Sequence, residues 1–350
     1  MKKSIAISFA YFLIQVSSAQ IGGKNIYDFL QFPTSARMEA LGGGLQSIKN
    51  NTDADLTLAI SNPCFLDSSF HKQLAVNTAF YIDNTNFGNI SFSYYHPKIK
   101  STLAYTMQYA YYGKFDGRDI SGNPIGTFRA GDINMQVGVG RHWNKFYYGV
   151  NLKLIVSSLE SYHSVGFAAD VALGYHNPKS NWTAAVVLRN AGVELKPYIK
   201  GDARQRTPIQ LDLSFSKRFK KLPVTISVTA HNLQVWNLKF PEEETQNIFL
   251  GTTRKKNKAL EVMDNIFRHF SFGVEVQAGK PVRLRLGYNH LRRQELGLAK
   301  VKGFAGFSVG LGLNIKQFAL DYGFAQYHRD GFDHQLSFRV KLDEFGKKAK

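Results

Sequence analysis

Large apolar and small or polar residues alternate along most of the chain, from Leu74 almost to the C-terminus. The pattern is clearest in the segments 304–315, 317–327 and 332–342, where every second residue is large and mostly apolar. A period of two is typical of β-strands whose two faces meet different surroundings. The chain is therefore predicted to be all-β.

About fourteen segments follow this pattern. Most of them approach the 9 to 11 residues that a tilted strand needs to cross a bilayer, whereas strands of soluble proteins average about 5 to 6. The segments are 74–81, 87–96, 101–112, 130–142, 145–159, 163–176, 180–190, 208–219, 222–232, 269–278, 281–292, 304–315, 317–327 and 332–342. We predict a transmembrane antiparallel β-barrel of about 14 strands over residues 73–342.

The connections between these segments alternate between tight and long. Tight turns fall at 96–100, 144, 177–179, 220–221, 279–280 and 316, and the longest connections at 113–129, 191–207, 233–268 and 293–303. Outer-membrane barrels have short periplasmic turns and longer outside loops. This order predicts the outer membrane of a Gram-negative bacterium, with both termini in the periplasm.

The ends of the chain differ from the strand region. Residues 1–19 begin with two lysines, continue with an apolar run and end in small residues, which predicts a secretory signal peptide. Residues 20–72 are polar and rich in Gly, Asn and Asp, and we expect them to fold into the barrel as a plug. Residues 343–350 are predicted to form a periplasmic tail.

Composition narrows the function. The formal net charge is +18, and the single cysteine, Cys64, excludes an internal disulfide. No metalloprotease, phosphate-loop or serine-hydrolase motif is present, so we expect a non-enzyme without metal or cofactor. In an exported chain, this basic balance favours anionic envelope lipid or polysaccharide over nucleic acid.

Charged residues also occupy the polar faces of the predicted strands. They are of both signs, which favours ion pairs that fill the lumen over a selective channel lining. Among them, Arg283, Arg285 and Arg339 are candidates to contact the plug.

One long connection carries a second candidate surface. Between Asn257 and Phe270, apolar residues recur at helical spacing, which predicts a short amphipathic helix; they are Leu260, Met263, Phe267 and Phe270. Such a helix would cover the barrel mouth, dock a partner or contact the outer leaflet.

The segment before the strands carries the specific motif. The sequence "GGKNIYDFLQFPTSARMEALGGG", followed by "DADLTLAISNPCFL", resembles the PorV/PorQ barrels, a branch of the FadL-like outer-membrane proteins, and its first part is closer to PorQ-like members. The matching plug-motif residues are Arg37, Gly42, Gly43, Asp53, Asp55, Asn62, Pro63 and Leu66. Cys64 departs from the pattern, because this family usually has alanine there.

The resemblance implies a role in the type IX secretion system. PorQ-like proteins belong to an attachment complex with PorU, PorV and the surface protein PorZ, which joins exported cargo to anionic lipopolysaccharide. The expected role is to anchor a PorZ-like partner. Two alternatives stay open: a FadL-like transporter of hydrophobic small molecules, which would show an apolar lumen pocket and an opening in the wall, and a PorV-like cargo shuttle.

Overall fold

The computed structural model describes residues 25–44, 47–49, 54–239, 258–296, 303–328 and 331–345. The predicted signal peptide and the end of the predicted tail, 346–350, lie outside these ranges.

Fourteen antiparallel strands form a closed barrel, in which each strand pairs with its neighbours in sequence and β1 pairs with β14. The predicted barrel of about 14 strands is therefore confirmed. Among the described residues, no helix has the length and apolar content needed to cross a membrane.

The strands vary in length from 7 to 20 residues. They are β1 (Gln73–Phe80), β2 (Asn86–His96), β3 (Ser101–Arg118), β4 (Pro124–Trp143), β5 (Phe146–Leu159), β6 (Tyr162–Asn177), β7 (Trp182–Lys196), β8 (Gln210–Arg218), β9 (Val224–Ala230), β10 (Phe270–Ala278), β11 (Val282–Asn289), β12 (Phe307–Ile315), β13 (Phe318–His328) and β14 (Gly331–Lys341).

Short helices lie before, between and after the strands. The α-helices are α1 (Ala36–Ala40), α2 (Leu56–Ala59), α3 (Lys258–Arg268) and α4 (His290–Glu295). Single turns of 3-10 helix span Asp28–Gln31, Pro63–Phe65, Ser68–Phe70, Ile82–Asn84 and Leu342–Glu344.

The two faces of the wall have opposite character. On β5, Leu152 and Leu154 point outward and are 51% and 44% exposed. Asn151 and Lys153, which alternate with them, point inward and are buried. The other strands also face large apolar residues outward, while their inward positions are mostly polar or small, apart from buried apolar clusters such as the one around Phe29, Phe87 and Ile155. This is the reverse of a water-soluble fold.

The two ends of the barrel have different connections. At one end, β4–β5 and β12–β13 are joined by two-residue turns that begin at Asn144 and Lys316, both in the left-handed conformation (φ 56° and 53°). Such turns match the twist of paired strands and need few residues. The longest connection, which carries α3, leaves from the opposite end.

The prediction that 113–129 is a loop was wrong. β3 continues to Arg118 and β4 begins at Pro124, so the two strands form one long hairpin. The alternation of residue types fades there, but backbone pairing continues and the rings of Phe115 and Phe128 stack with their centres 5.4 Å apart. The loop predicted at 191–207 was also too long, because β7 extends to Lys196.

The chain before β1 lies inside the barrel, and we call its described part, within residues 25–72, the lumen segment. Inward-facing glycines let its backbone approach the wall closely. A Cβ at Gly140 or at Gly149 would lie 2.6 Å from the carbonyl oxygen of Pro63, and one at Gly174 would lie 2.8 Å from the Sγ of Cys64. Any side chain at these positions would push the segment off the wall.

We expect Gly140→Ala to lower the free energy of unfolding by about 1–3 kcal/mol, because the added methyl overpacks this contact. The urea midpoint of the detergent-solubilised barrel, followed by heat-modifiable gel migration, measures the effect. Val139→Ile adds carbon to the neighbouring outward-facing position and should leave the midpoint unchanged. Equal midpoints for Gly140→Ala and the wild type would contradict this account.

Candidate functional site

Helix α1 presents charged side chains from the lumen segment to the wall. Its N-terminus is capped by Ser35, whose side-chain oxygen accepts a hydrogen bond from the backbone N–H of Met38 at 3.2 Å. Shortly after the helix end at Ala40 come Gly42 and Gly43, which both have positive φ (93° and 70°). Their N–H groups bond to the carbonyls of Glu39 and Met38, so the chain reverses within two residues.

Helix α2 carries the second charged side chain of the lumen segment at this site, that of Asp55. Asp55 caps it by accepting hydrogen bonds from the backbone N–H and the hydroxyl of Thr57, at 3.1 and 2.6 Å. The other carboxylate oxygen of Asp55 accepts a hydrogen bond from Arg37 of α1 at 3.1 Å. The Arg37–Asp55 pair thereby joins two parts of the lumen segment that are separated in sequence.

A closed ring of six buried charges connects these helices to the wall, and we call it the charge ring. Its members, in order, are Arg37, Asp55, Arg339, Asp321, Arg285 and Glu275. Successive charged groups lie 3.1, 3.3, 3.0, 2.6 and 2.7 Å apart, and 2.8 Å closes the ring from Glu275 to Arg37. No member is more than 7% exposed. Three guanidinium groups alternate with three carboxylates, so the formal charges cancel.

Strand register explains how the wall builds its part of the ring. Glu275 and Arg285 are direct cross-strand partners on β10 and β11. Arg285 then passes over β12 to reach Asp321 on β13. The inward position on β12 at this level is Gly312, where a Cβ would lie 2.6 Å from the Asp321 carboxylate and 2.8 Å from the guanidinium of Arg285. Glycine leaves the space through which the two charges meet.

A second ionic contact fixes the other end of α1. Arg292 of α4 donates a hydrogen bond to Glu39 at 2.6 Å, and its guanidinium lies 4.3 Å from the ring centre of Tyr327. The hydroxyl of Tyr327 donates to Glu39 at 2.9 Å. Burial alone would lower the pKa of Arg292, but the Glu39 carboxylate raises it above its usual value. This contact ties the lumen segment to a connection at the α3 end of the barrel.

Other wall charges pair among themselves. Lys153 lies 2.8 Å from Asp170, and Arg189 pairs with Asp212. Asp170 also accepts a hydrogen bond at 2.8 Å from the backbone N–H of Asn190, which forms a bulge in β7 with φ of 55°. These pairs occupy interior space and satisfy one another.

The remaining predicted site residues have varied positions. Arg283 lines a cavity of about 210 Å³ together with Lys49 of the lumen segment. The side-chain oxygen of Asn62 accepts a hydrogen bond from the Sγ of Cys64 at 3.0 Å, and Pro63 begins the turn that meets Gly140. Asp53 lies outside the described residues.

Two contact residues were not identified from the sequence. Glu39 lies within the plug motif but was not singled out, and Arg292 was assigned to the end of a predicted strand rather than to α4. No spacing signal links positions so far apart in the chain. Phe270 was expected on the helix but opens β10.

No family model and no curated protein matches this sequence. Among solved structures, the toluene transporter TodX of Pseudomonas putida aligns with a TM-score of 0.54 and 10% identity, covering 89% of this chain and 99% of that one. The toluene transporter TbuX of Ralstonia pickettii gives 0.50 and 9%, with the same coverage. A FadL homologue of Pseudomonas aeruginosa gives 0.48 and 9%, covering 88% of this chain and 98% of that one.

The chain has a FadL-like barrel fold. At such low identity the likeness concerns the fold alone. The finer resemblance to the PorV/PorQ branch rests on the motif of the lumen segment and stays a prediction.

Removing one member of the charge ring should leave each of its two neighbours with one counter-charge instead of two, and the buried ring with an uncompensated net charge. We expect Arg37→Met to destabilise the barrel by about 3–5 kcal/mol. The double variant Arg37→Met/Glu275→Gln should cost less than the two single changes together, because it removes one charge of each sign. Urea midpoints of all three variants measure the coupling.

Lys341→Ala is the matched control, since Lys341 is 29% exposed and its charge lies 4.0 Å from that of Glu344. An exposed pair of this kind contributes about 0–1 kcal/mol. Additive effects of Arg37→Met and Glu275→Gln would contradict the charge ring as a coupled unit.

Acid should weaken a third ionic contact of the lumen segment, the pair between Lys49 and Asp67. Burial alone would raise the pKa of Asp67, but its ion pair with Lys49 and hydrogen bonds from Ser69 hold this pKa below its usual value of 3.8. The stabilisation is present above pH 3.8 and is lost as the pH falls through the lower folded-state value. The stability difference between wild type and Asp67→Asn, taken from urea midpoints, should therefore shrink in acid.

Proposed function

We propose that this chain is a non-catalytic outer-membrane barrel that anchors a surface partner. In this proposal it belongs to the attachment complex of a type IX secretion system, its partner is PorZ-like, and PorU and PorV are neighbours in the complex. Both termini face the periplasm, and the complex works next to anionic lipopolysaccharide. The observation that carries the proposal is the lumen segment, which is fastened inside the barrel by the buried charge ring.

A fastened lumen segment favours an anchor over an open channel. Moving the segment aside would break the two buried ion pairs that join it to the wall, Arg37–Glu275 at 2.8 Å and Asp55–Arg339 at 3.3 Å, which is costly. The wall is closed as well, since every neighbouring pair of strands is hydrogen-bonded. A barrel held in this way suits a mechanical role.

The distribution of apolar surface supports the same role. The cavity beside the lumen segment is lined by charged and polar side chains, including Lys49, Arg218 and Arg283. An apolar concavity of about 550 Å³ instead lies on the outer wall, where outward-facing Ile90 and Met135 line it. A binding site for a hydrophobic molecule would need apolar lining on its path through the lumen.

The hairpin of β3 and β4 offers a surface for a partner. It includes the two longest strands, of 18 and 20 residues, and is joined at the barrel end that also carries α3 and α4. Near its tip Ile120 and Ile125 are exposed, at 108% and 63%. Exposed apolar residues at such a position are typical of a protein contact.

The structural comparisons favour a second candidate, transport of hydrophobic small molecules. TodX and TbuX are described as toluene transporters, and this chain shares their fold over 89% of its length. They support transport more directly than they support the attachment role. A PorV-like cargo shuttle is a further alternative, which would also place the chain in a type IX secretion system.

Extraction in mild detergent tests the anchoring role. We expect the tagged wild-type chain to co-purify with a surface-exposed protein, and Ile120→Ser/Ile125→Ser to reduce this recovery several-fold because the hairpin contact is lost. The matched control Ile99→Ser changes an exposed residue in a tight turn at the other end of the barrel. Recovery of the wild type as a lone barrel would contradict the proposal.

Proteoliposome flux separates the two candidates. We expect the wild-type barrel to exclude small polar solutes and toluene, and Arg37→Ala to admit small solutes because it loosens the lumen segment. Lys341→Ala serves as the control and should resemble the wild type. Saturable toluene uptake by the wild type would support the transport candidate, and unchanged permeability of Arg37→Ala would remove Arg37 from a sealing role.

A further inference from the structure

Helix α3 is oriented opposite to an ordinary surface helix. Its less exposed positions are 261, 264, 265 and 268, which form one stripe at spacings of three and four residues. This stripe is entirely polar: Glu261, Asp264, Asn265 and Arg268. A helix on a water-soluble protein would turn its apolar stripe toward the protein instead.

The polar stripe is fastened to the rest of the chain by specific bonds. Asn265 donates a hydrogen bond to the carbonyl of Trp236 at 2.6 Å and accepts one from the N–H of Leu238 at 3.2 Å. Asp264 lies 2.9 Å from Arg268 and 3.2 Å from the ring of His290 on α4. Partial burial opposes ionisation, but these hydrogen bonds hold the pKa of Asp264 below its usual value. The polar stripe is therefore held against the rest of the chain by specific hydrogen bonds.

The opposite face of α3 is apolar and exposed. Leu260, Val262, Met263, Ile266 and Phe267 are between 39% and 63% exposed. Five neighbouring apolar side chains with this exposure form a continuous patch, which is costly in contact with water. The orientation makes sense only if something other than water covers this face.

The apolar face continues into the outward-facing surface of the barrel. The ring of Phe267 lies 5.9 Å from that of His290, which lies 6.0 Å from Tyr288 on the outer face of β11. Tyr288 in turn lies 5.0 Å from Phe307, at the start of β12. Aromatic residues at the ends of barrel strands are typical of the boundary between lipid and water.

We propose that α3 is an interfacial membrane helix, with its apolar face inserted between the headgroups and acyl chains of the outer leaflet. This inference rests on the outer-membrane location proposed above. The polar stripe holds the helix on the barrel while the apolar face binds lipid. The occupant is lipid rather than protein, because the patch is continuous with the aromatic band that ends the lipid-facing wall.

Fluorophores at three single-cysteine positions test the placement in the full-length barrel. Met263→Cys reports on the apolar face of α3, Leu152→Cys on the lipid-facing wall, and Ile120→Cys on the exposed hairpin tip. Cys64 is fully buried, so wild-type protein carried through the same labelling gives the background. Each folded, labelled protein is reconstituted into phosphatidylcholine vesicles with bromines near the headgroup end of the acyl chains.

We expect bromine to quench the label at position 263 several-fold more strongly than the label at 120, because an interfacial helix reaches about 5–10 Å into this boundary. Quenching at 263 no greater than at 120, with strong quenching at 152, would overturn the inference and leave the barrel in the membrane; a protein partner or a second copy would then cover α3. Absence of quenching at 152 would instead contradict the proposed location itself.

Discussion

The buried charge ring holds the lumen segment against the barrel wall, and the arrangement of the interior depends on it. Each of its six groups lies between two groups of opposite sign, so the attraction between neighbours offsets the cost of removing them from water. Losing one member would bring two like charges next to each other and leave the buried ring with one net charge uncompensated. The ring therefore acts as a unit, and it makes displacement of the segment expensive as long as all six groups remain.

The wall is shaped to receive this segment. Where the ring crosses β12, Gly312 provides the space, and where the segment's backbone touches β4 and β5, Gly140 and Gly149 do the same. Small residues at these inward positions let backbone meet backbone without a gap. Electrostatic attraction and close packing thus reinforce each other, and the interior is filled by the chain itself.

At one end, the same segment is linked to surface structure. Glu39 of α1 is held by Arg292 of α4, and α4 contacts α3 through His290 and Asp264. Polar contacts made by two residues of α4 therefore connect the lumen segment to the helix whose apolar face is exposed. In the anchoring role proposed above, this connection would carry a load applied at the surface into the closed wall.

The sequence by itself determined the barrel, because a period of two over segments of membrane-crossing length leaves few other architectures. It also identified Arg285 and Arg339 as candidates, since charges on an inward face need partners, whereas Arg37 and Asp55 became candidates through the resemblance of the plug motif. Only the tertiary structure decided which charges meet, because Glu275, Asp321 and Arg292 reach their partners through strand register and loop geometry that no local spacing encodes. The orientation of α3 was likewise decided by tertiary contacts: its periodicity shows two faces, but only the bonds of Asn265 and Asp264 show that the polar face packs on the protein.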